Sequence, residues 1–287
     1  MKIVLGSANF GNNYGLNFKK NINRRKDLNI LFFQAKKLKI NFLDTSPNYK
    51  IKKNILVKKK FKEFNIISKL RFTEKEKKNK KLNKIFLKKI LKIKKNYKIK
   101  NFYGILFHRS DDLLSFKKDL LKDAIILLKK KKICKKFGVS IYDPVELKKV
   151  FKIFKPDIIQ LPINILDNRF AKSGWINKLY RMNIEIHARS IFLQSLLLNS
   201  YKKSPKNIVK NSEILKKFEN YCKLKKVTKL DMCLNYIKKF PQISHIVVGV
   251  QDANQLKKIS ISLNRKKFKS NFNVKKIDKK IIDPRLW

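Results

Sequence analysis

The sequence predicts an α/β chain wound into an eight-stranded parallel barrel, the (β/α)8 or TIM arrangement, as a single domain over residues 1–287. Three observations predict it. Short apolar runs alternate with longer stretches of helical period from end to end, and strands separated by helices pair in parallel. The apolar runs number about eight, which is the barrel count. Three successive runs end in ionisable side chains, at Asp44, Lys69 and His108. A barrel gathers its strand ends on one face, and that face carries the chemistry. A chain of 287 residues suits one such domain, which runs to about 250 residues, and no linker or compositional break divides it.

Ile3–Ala8 is an apolar strand, followed by a turn rich in Gly and Asn (Gly11, Asn12, Asn13, Gly15). Arg24–Lys39 carries Leu28, Leu31, Phe32, Ala35 and Leu38 at helical spacing under a basic outer face. Ile40, Phe42 and Leu43 lead to Asp44 as the second strand, and a polar turn then reaches Tyr49. A short helix over Asn54–Phe64 precedes the third strand, which ends at Lys69. Lys81–Lys98 lines up Leu82, Ile85, Phe86, Ile90, Ile93 and Tyr97 on one helical face. Gly104–His108 is the fourth strand, and Asp112–Lys132 reads as one helix ending in the densest basic run.

Phe137–Ser140 is the fifth strand. Asp143, Pro144 and Glu146 then open a helix, with Asp as the cap, Pro in the first turn and Glu reaching back to the cap. Asp157–Leu161 is the sixth strand, Ile176–Met182 a helix, and Ile184–Ile191 the seventh strand. A basic loop around Lys202–Lys206 is a candidate for substrate contact. Helices follow over Ser212–Lys223 and Thr228–Lys239, the second opened by the pair Thr228 and Asp231. His245–Val250 is the eighth strand and Asp252–Leu263 its helix. The tail from about residue 270 to Trp287 shows no period.

Hydrophobic residues at 43% suffice for a core. Lys+Arg is 73 against Asp+Glu 20, a formal charge of +53. Such a charge suits nucleic acid or an anionic membrane. Here the lysines are spread along every segment rather than gathered in one arm, Ile and Asn are abundant, and Gly is only 7. A chain-wide drift in composition, absorbed by solvated helix faces, explains this better than a nucleic-acid patch. A basic nucleic-acid-binding protein is the rival reading from another class. The positive field also attracts phosphorylated cofactors. Cys134, Cys222 and Cys233 are odd in number and scattered, which argues against a disulfide framework and fits a reducing cytoplasm. His108, His187 and His245 lack metal-ligand spacing, so no metal site is expected. Met1–Gly6 has no signal-peptide core. No apolar run approaches the ~18 residues that span a bilayer.

The strand ends carry a resemblance. D-T-S-P-N-Y (44–49), I-I-S-K (66–69) and I-L-F-H (105–108) resemble the segments that hold the Asp, Tyr, Lys and His tetrad of the aldo-keto reductases. G-V-S-I-Y-D-P (138–144), D-I-I-Q-L-P-I-N (157–164), I-E-I-H-A-R-S (184–190) and I-V-V-G-V-Q-D-A-N-Q-L (246–256) fit the same family in the same order. The likeness runs from Leu5 to about Leu256. Each motif alone is weak, and their common order is the signal.

The resemblance implies a chemistry and assigns roles. Carbonyl reduction needs a hydride at carbon and a proton at oxygen, and the proton donor works best with a pKa near the operating pH. A free tyrosine titrates near ~10, and a neighbouring ammonium lowers that value. Tyr49 is then the general acid, Lys69 tunes it, Asp44 pairs with Lys69, and His108 orients or polarises the carbonyl. Taken singly, each residue has an ordinary reading: a turn aspartate, a loop tyrosine, one lysine among many, a structural histidine. Their convergence on consecutive strand ends favours the catalytic one.

The cofactor implied is NADPH, with NADH open. By resemblance Ser140 and Gln160 hydrogen-bond the nicotinamide carboxamide, joined by Asn164, and Ser190 holds the pyrophosphate. Gly249 and the helix start after it offer N–H groups for a phosphate. Gln255 contacts the adenosine side, although with Asp252 it also fits a helix cap. No G-x-G-x-x-G is present, which suits a barrel. The chain departs from the family at Lys50-Ile51-Lys52 after the tyrosine, at Ser140-Ile141 where Ser-Asn is common, and at Arg189 where an aromatic usually stacks on the nicotinamide. The family's basic residue for a 2′-phosphate is unmatched, with Lys257 and Lys258 nearby. The altered loop after Tyr49 keeps a second rival, a cofactor-binding regulatory barrel without catalysis. The partner expected is a small carbonyl substrate. The segments I-I-Q-L-P-I-N and I-H-A-R-S-I-F-L-Q resemble bacterial members of sugar or surface-polysaccharide metabolism, which suggests a sugar-derived one.

Overall fold

The computed structural model describes residues 1–10, 24–49, 58–204, 213–274 and 277–287. Eight parallel strands close into a barrel in chain order: β1 (Lys2–Gly6), β2 (Phe42–Thr45), β3 (Asn65–Leu70), β4 (Phe102–Phe107), β5 (Cys134–Ser140), β6 (Ile158–Pro162), β7 (Glu185–Arg189) and β8 (His245–Gly249). β8 pairs with β1 over five residues. The β7–β8 seam is shorter, with two register pairs, His187 with His245 and Ala188 with Ile246.

Parallel strands buried on both faces need apolar side chains in both directions, and these runs supply them. Val4, Phe42, Ile67, Leu106 and Ile158 pack together as one cluster, joined by Tyr103 and Val247. Leu5, Leu43, Ile66, Ile105 and Phe107 belong to the larger core shared with the helices. At Gly138 the backbone of β6 comes so close that a Cβ would lie 2.0 Å from the Ile158 carbonyl oxygen, so only glycine fits.

Five helices end in the same way. Arg25–Lys37, Leu82–Tyr97, Lys118–Lys130, Trp175–Arg181 and Glu213–Leu224 are followed by Lys39, Lys98, Lys132, Asn183 and Lys226, all in the left-handed region at φ 51–57°. The next residue is β-branched and apolar each time: Ile40, Ile99, Ile133, Ile184 and Val227. Its N–H returns to a carbonyl five residues back, on Ala35, Lys94, Leu128, Leu179 and Cys222. This is the Schellman stop, whose left-handed position usually holds glycine. Here lysine or asparagine occupies it.

Several sequence expectations are corrected. The helix expected over Asp112–Lys132 is two, Ser110–Leu114 and Lys118–Lys130. The Ser115 hydroxyl donates to the Asp111 carbonyl at 3.0 Å, and the chain turns so that Phe116 enters the core. There it meets the rings of Phe72, Phe86 and Phe107 at 5.3–5.5 Å. The described part of the expected Asn54–Phe64 helix is a 3-10 turn, Lys58–Glu63. The aperiodic tail contains a short helix, Lys279–Ile282, and a 3-10 turn, Pro284–Leu286. Both predicted caps form. Glu146 accepts the Asp143 N–H at 2.7 Å, and Thr228 accepts the Asp231 N–H at 3.0 Å. The Gly/Asn turn at 11–15, Lys50-Ile51-Lys52 and residues 205–206 of the basic loop lie outside the described residues. No helix among the described residues is long and apolar enough to cross a membrane.

Candidate active site

A cavity opens where the strands end, lined by Asp44, Tyr49, Lys69, His108, Ser140, Gln160, Ser190 and Gly249, with Asn9, Tyr142, Arg189 and Gln251 among its other walls. Eight of the ten residues singled out in the sequence thus meet around one space, and Asn164 and Gln255 are outside its lining. β2 delivers Asp44, and the turn after it holds Tyr49, whose N–H donates to the Ser46 carbonyl at 3.0 Å. β3 delivers Lys69 and β4 ends one residue before His108, whose N–H donates to Leu70 of β3 at 2.8 Å.

Lys69 is 3% exposed, and among the described residues it is the one buried lysine or arginine. Burying an ammonium costs several kcal/mol unless it is paired. The ion pair with Asp44, itself 2% exposed, supplies the partner. Gln160 completes the group: its Nε2 donates to Asp44 Oδ2 at 3.0 Å, and its Oε1 accepts from Lys69 at 3.5 Å. Burial works against the charged lysine, but Asp44 and a hydrogen bond to Tyr49 outweigh it and hold the Lys69 pKa above its ordinary value. The ammonium lies 5.2 Å from the Tyr49 ring centroid.

The His108 ring stands edge-on to the Tyr49 ring at 6.1 Å. Burial first, then the positive charges of Lys69, Arg71, Arg189 and Arg109, push its pKa down to about 3. It is therefore a neutral imidazole at physiological pH. Its Nδ1 is buried with no hydrogen-bond partner among the described residues.

The other half of the cavity belongs to β5–β8. Ser140 is buried at the end of β5. Asn164, also buried, donates from Nδ2 to the Ser190 carbonyl at 3.1 Å and accepts the N–H groups of Leu166 and Asp167, so it braces the loops after β6 and β7. Ser190, Gln194 and Ser195 in the wall, and Leu193 next to them in the chain, all have positive φ, 43–73°. A left-handed residue other than glycine costs roughly 1–2 kcal/mol, and such strain gathers at functional sites. At Gly249 a Cβ would stand 3.3 Å from the Asn9 amide, so the bare backbone lets Asn9 approach.

Two placements differ from simple expectation. Gln160 spends its amide on Asp44 and Lys69 rather than facing the cavity alone. Gln255 is outside the lining: its Oε1 accepts the Gln251 N–H at 2.9 Å and its own N–H donates to Asp252 at 2.8 Å, the helix-cap reading. Gln251 lines the cavity in its place.

One wall was not visible in the sequence. The Tyr142 ring is contacted by two guanidinium groups, Arg189 at 4.0 Å and Arg285 at 3.7 Å from its centroid. Arg189 is further fixed by donation to the Ile141 carbonyl at 2.9 Å and to Ser190 Oγ at 3.3 Å. Its Nε is buried with no partner among the described residues. Arg285 is held by Asp283 through its Nε at 2.8 Å and its Nη2. The signal was the aromatic Tyr142 two residues past a strand end, but its partners are distant in sequence.

The comparisons with known proteins agree with this frame. The sequence profile of the aldo/keto reductase family matches residues 2–282. No curated protein sequence matches the chain. Among solved structures, the aldo-keto reductase AKR11C1 from Bacillus halodurans in its holo form is similar with a TM-score of 0.72 at 15% identity, over 93% of this chain and 88% of that one. The glycerol dehydrogenase AKR11B4 from Gluconobacter oxydans is similar with a TM-score of 0.69 at 13% identity, over 93% of this chain and 87% of that one. At such identities the structures speak for the barrel alone, whereas the profile covers nearly every element that builds the cavity, and on that ground this chain belongs to the aldo/keto reductase family, a family of oxidoreductases acting on carbonyl compounds.

Proposed function

We propose that the protein reduces an aldehyde or ketone to an alcohol with NADPH or NADH, using Tyr49 as the general acid. One observation carries the reading: the one buried basic side chain among the described residues, Lys69, is held between Asp44 and Tyr49 at the cavity. A chain with 73 basic residues has no structural need for a buried one. An ammonium against a phenol favours proton release from the phenol, which is what a proton donor to a carbonyl oxygen requires.

On this reading the residues divide the work. Asp44 keeps Lys69 charged and in place, and Gln160 fixes the Asp44 carboxylate. Tyr49 gives its proton to the substrate oxygen as the carbonyl carbon is reduced. His108 is neutral, so one ring nitrogen can donate a hydrogen bond to that oxygen without repelling Lys69. The nicotinamide cofactor supplies the hydride when bound. Ser140, Arg189 and Ser190 fit its polar parts: Arg189 Nε has no partner among the described residues, and the left-handed run from Ser190 suits a phosphate-holding backbone. Gly249 offers a bare backbone on the same side. The positive field favours NADPH. A sugar-derived carbonyl is the substrate class we propose, resting on the resemblance of the β6 and β7 segments.

The test follows the loss of reduced-nicotinamide absorbance with a panel of aldehydes and sugar-derived carbonyls, wild type beside Tyr49→Phe. The expected result is turnover in the wild type, a fall of about 10²–10⁴-fold in the variant, and cofactor affinity that survives. Equal turnover in both would remove Tyr49 as the acid. Cofactor binding without turnover on any carbonyl would favour the regulatory barrel.

A further inference from the structure

We propose that Glu185, His187 and His245 form a binding site for a divalent transition-metal ion of the zinc or cobalt type, at the pole of the barrel opposite the cavity. Glu185 begins β7 and His245 begins β8, so both lie at the strand starts. His187 is the register partner of His245 across the short seam, and their ring centroids are 4.3 Å apart. One ligand atom from each of the three residues falls within 4.8 Å of the others.

Two nitrogens point to a ligand. His187 is fully buried and His245 is 3% exposed. His187 Nδ1 and His245 Nε2 have no hydrogen-bond partner among the described residues. Buried polar atoms are nearly always partnered, so two orphans on facing imidazoles need a reason. Glu185 turns Oε1 to the Tyr103 hydroxyl and the Lys136 ammonium, each at 2.6 Å. Oε2 faces His187 Nε2 at 3.3 Å. The carboxylate is thus oriented by outer partners in the manner of ligating carboxylates, and Lys136 sits on the oxygen a metal would not take.

The donor set decides the ion. Two imidazoles and one carboxylate suit zinc, cobalt or nickel and not calcium or magnesium, which prefer all-oxygen sites. At metal–ligand distances of ~2.0–2.1 Å, tetrahedral donors stand about 3.4 Å apart. The three donors lie within 4.8 Å of one another, and Glu185 Oε2 and His187 Nε2, at 3.3 Å, already stand near that spacing. Water completes the shell, reaching it past Glu185, whose side chain is 21% exposed. The bound ion joins β7 to β8 where the strands share two register pairs, so it acts as a staple. This inference stands apart from the reductase chemistry.

The test is a titration of the metal-stripped full chain with cobalt(II) chloride, followed by visible ligand-field absorption, beside Glu185→Gln and His245→Gln. The expected result is one saturable equivalent in the wild type without thiolate charge-transfer bands. Affinity should be at least about tenfold weaker in each variant, and zinc should raise the wild-type melting temperature and not that of the variants. No saturable band, a thiolate band, or equal affinity in wild type and Glu185→Gln would overturn the site. Glu185 is the partly exposed member, so its variant decides the question even where His245→Gln does not fold.

Discussion

The buried Asp44–Lys69 pair makes a quantitative prediction about Asp44→Asn. The carboxamide still accepts from Gln160 but no longer neutralises Lys69, leaving an ammonium that is 3% exposed without its counter-charge. Breaking such a pair costs about 3–5 kcal/mol. The loss has a ceiling, because the lysine can instead give up its proton: from an ordinary value near 10.5 to pH 7 is 3.5 units, or about 5 kcal/mol. Lys69→Met has the matching ceiling of about 4 kcal/mol for protonating Asp44. The double variant has neither charge to strand, so its loss should fall short of the sum by at least about 2 kcal/mol. The sign with pH separates this from a packing defect. In the wild type the folded pKa of Lys69 is raised, so its contribution is complete below about 10.5 and is lost as pH rises through the folded value. In Asp44→Asn the folded pKa is lowered, the unfolded chain holds more protons, and stability should rise with pH between about 7 and 10. Urea unfolding across that range reads both slopes. A loss under about 1 kcal/mol in Asp44→Asn, or a flat profile, would refute the account of Lys69 as a caged charge.

Two further outcomes follow from the structure. The His108 pKa is depressed to about 3, so below about pH 6.5 the unfolded chain takes up a proton that the folded one refuses. Stability should fall on acidification by up to about 1.4 kcal/mol per pH unit from this residue, and His108→Asn should remove that part of the slope in urea midpoints measured against pH. Lys98→Gly and Lys132→Gly relieve left-handed lysines at helix stops, and each should stabilise by about 1 kcal/mol, a rise of about 2–4 °C by calorimetry. Unchanged or lower melting temperatures in both would show that the glycine preference does not govern these stops.

Much of the barrel was legible because most strands are short apolar runs and the longer helices keep their 3.6-residue stripe. Asp44, Lys69 and His108 were legible because they interrupt such runs at one end. The helix stops were not: lysine stands where glycine would have announced the turn, and lysine is everywhere in this chain. The break at Ser115 was hidden for a related reason, since Phe116 keeps the apolar pattern while leaving the helix. Gln255 was ambiguous because a helix cap with Asp252 and the cofactor contact expected by resemblance made the same demand on position. The meeting of His187 and His245 follows from strand register, a relation between positions 58 residues apart that no local spacing encodes. Tyr142 and Arg285 are further apart still.

The cluster of Arg189, Tyr142 and Arg285 has a temporal side. A chain emerges from the ribosome in order, and the face of Tyr142 that Arg285 covers stays bare until residue 285 has been made. By then every strand of the barrel is already available to close. The Tyr142 side of the cavity therefore gains its second guanidinium only after all eight strands have been made.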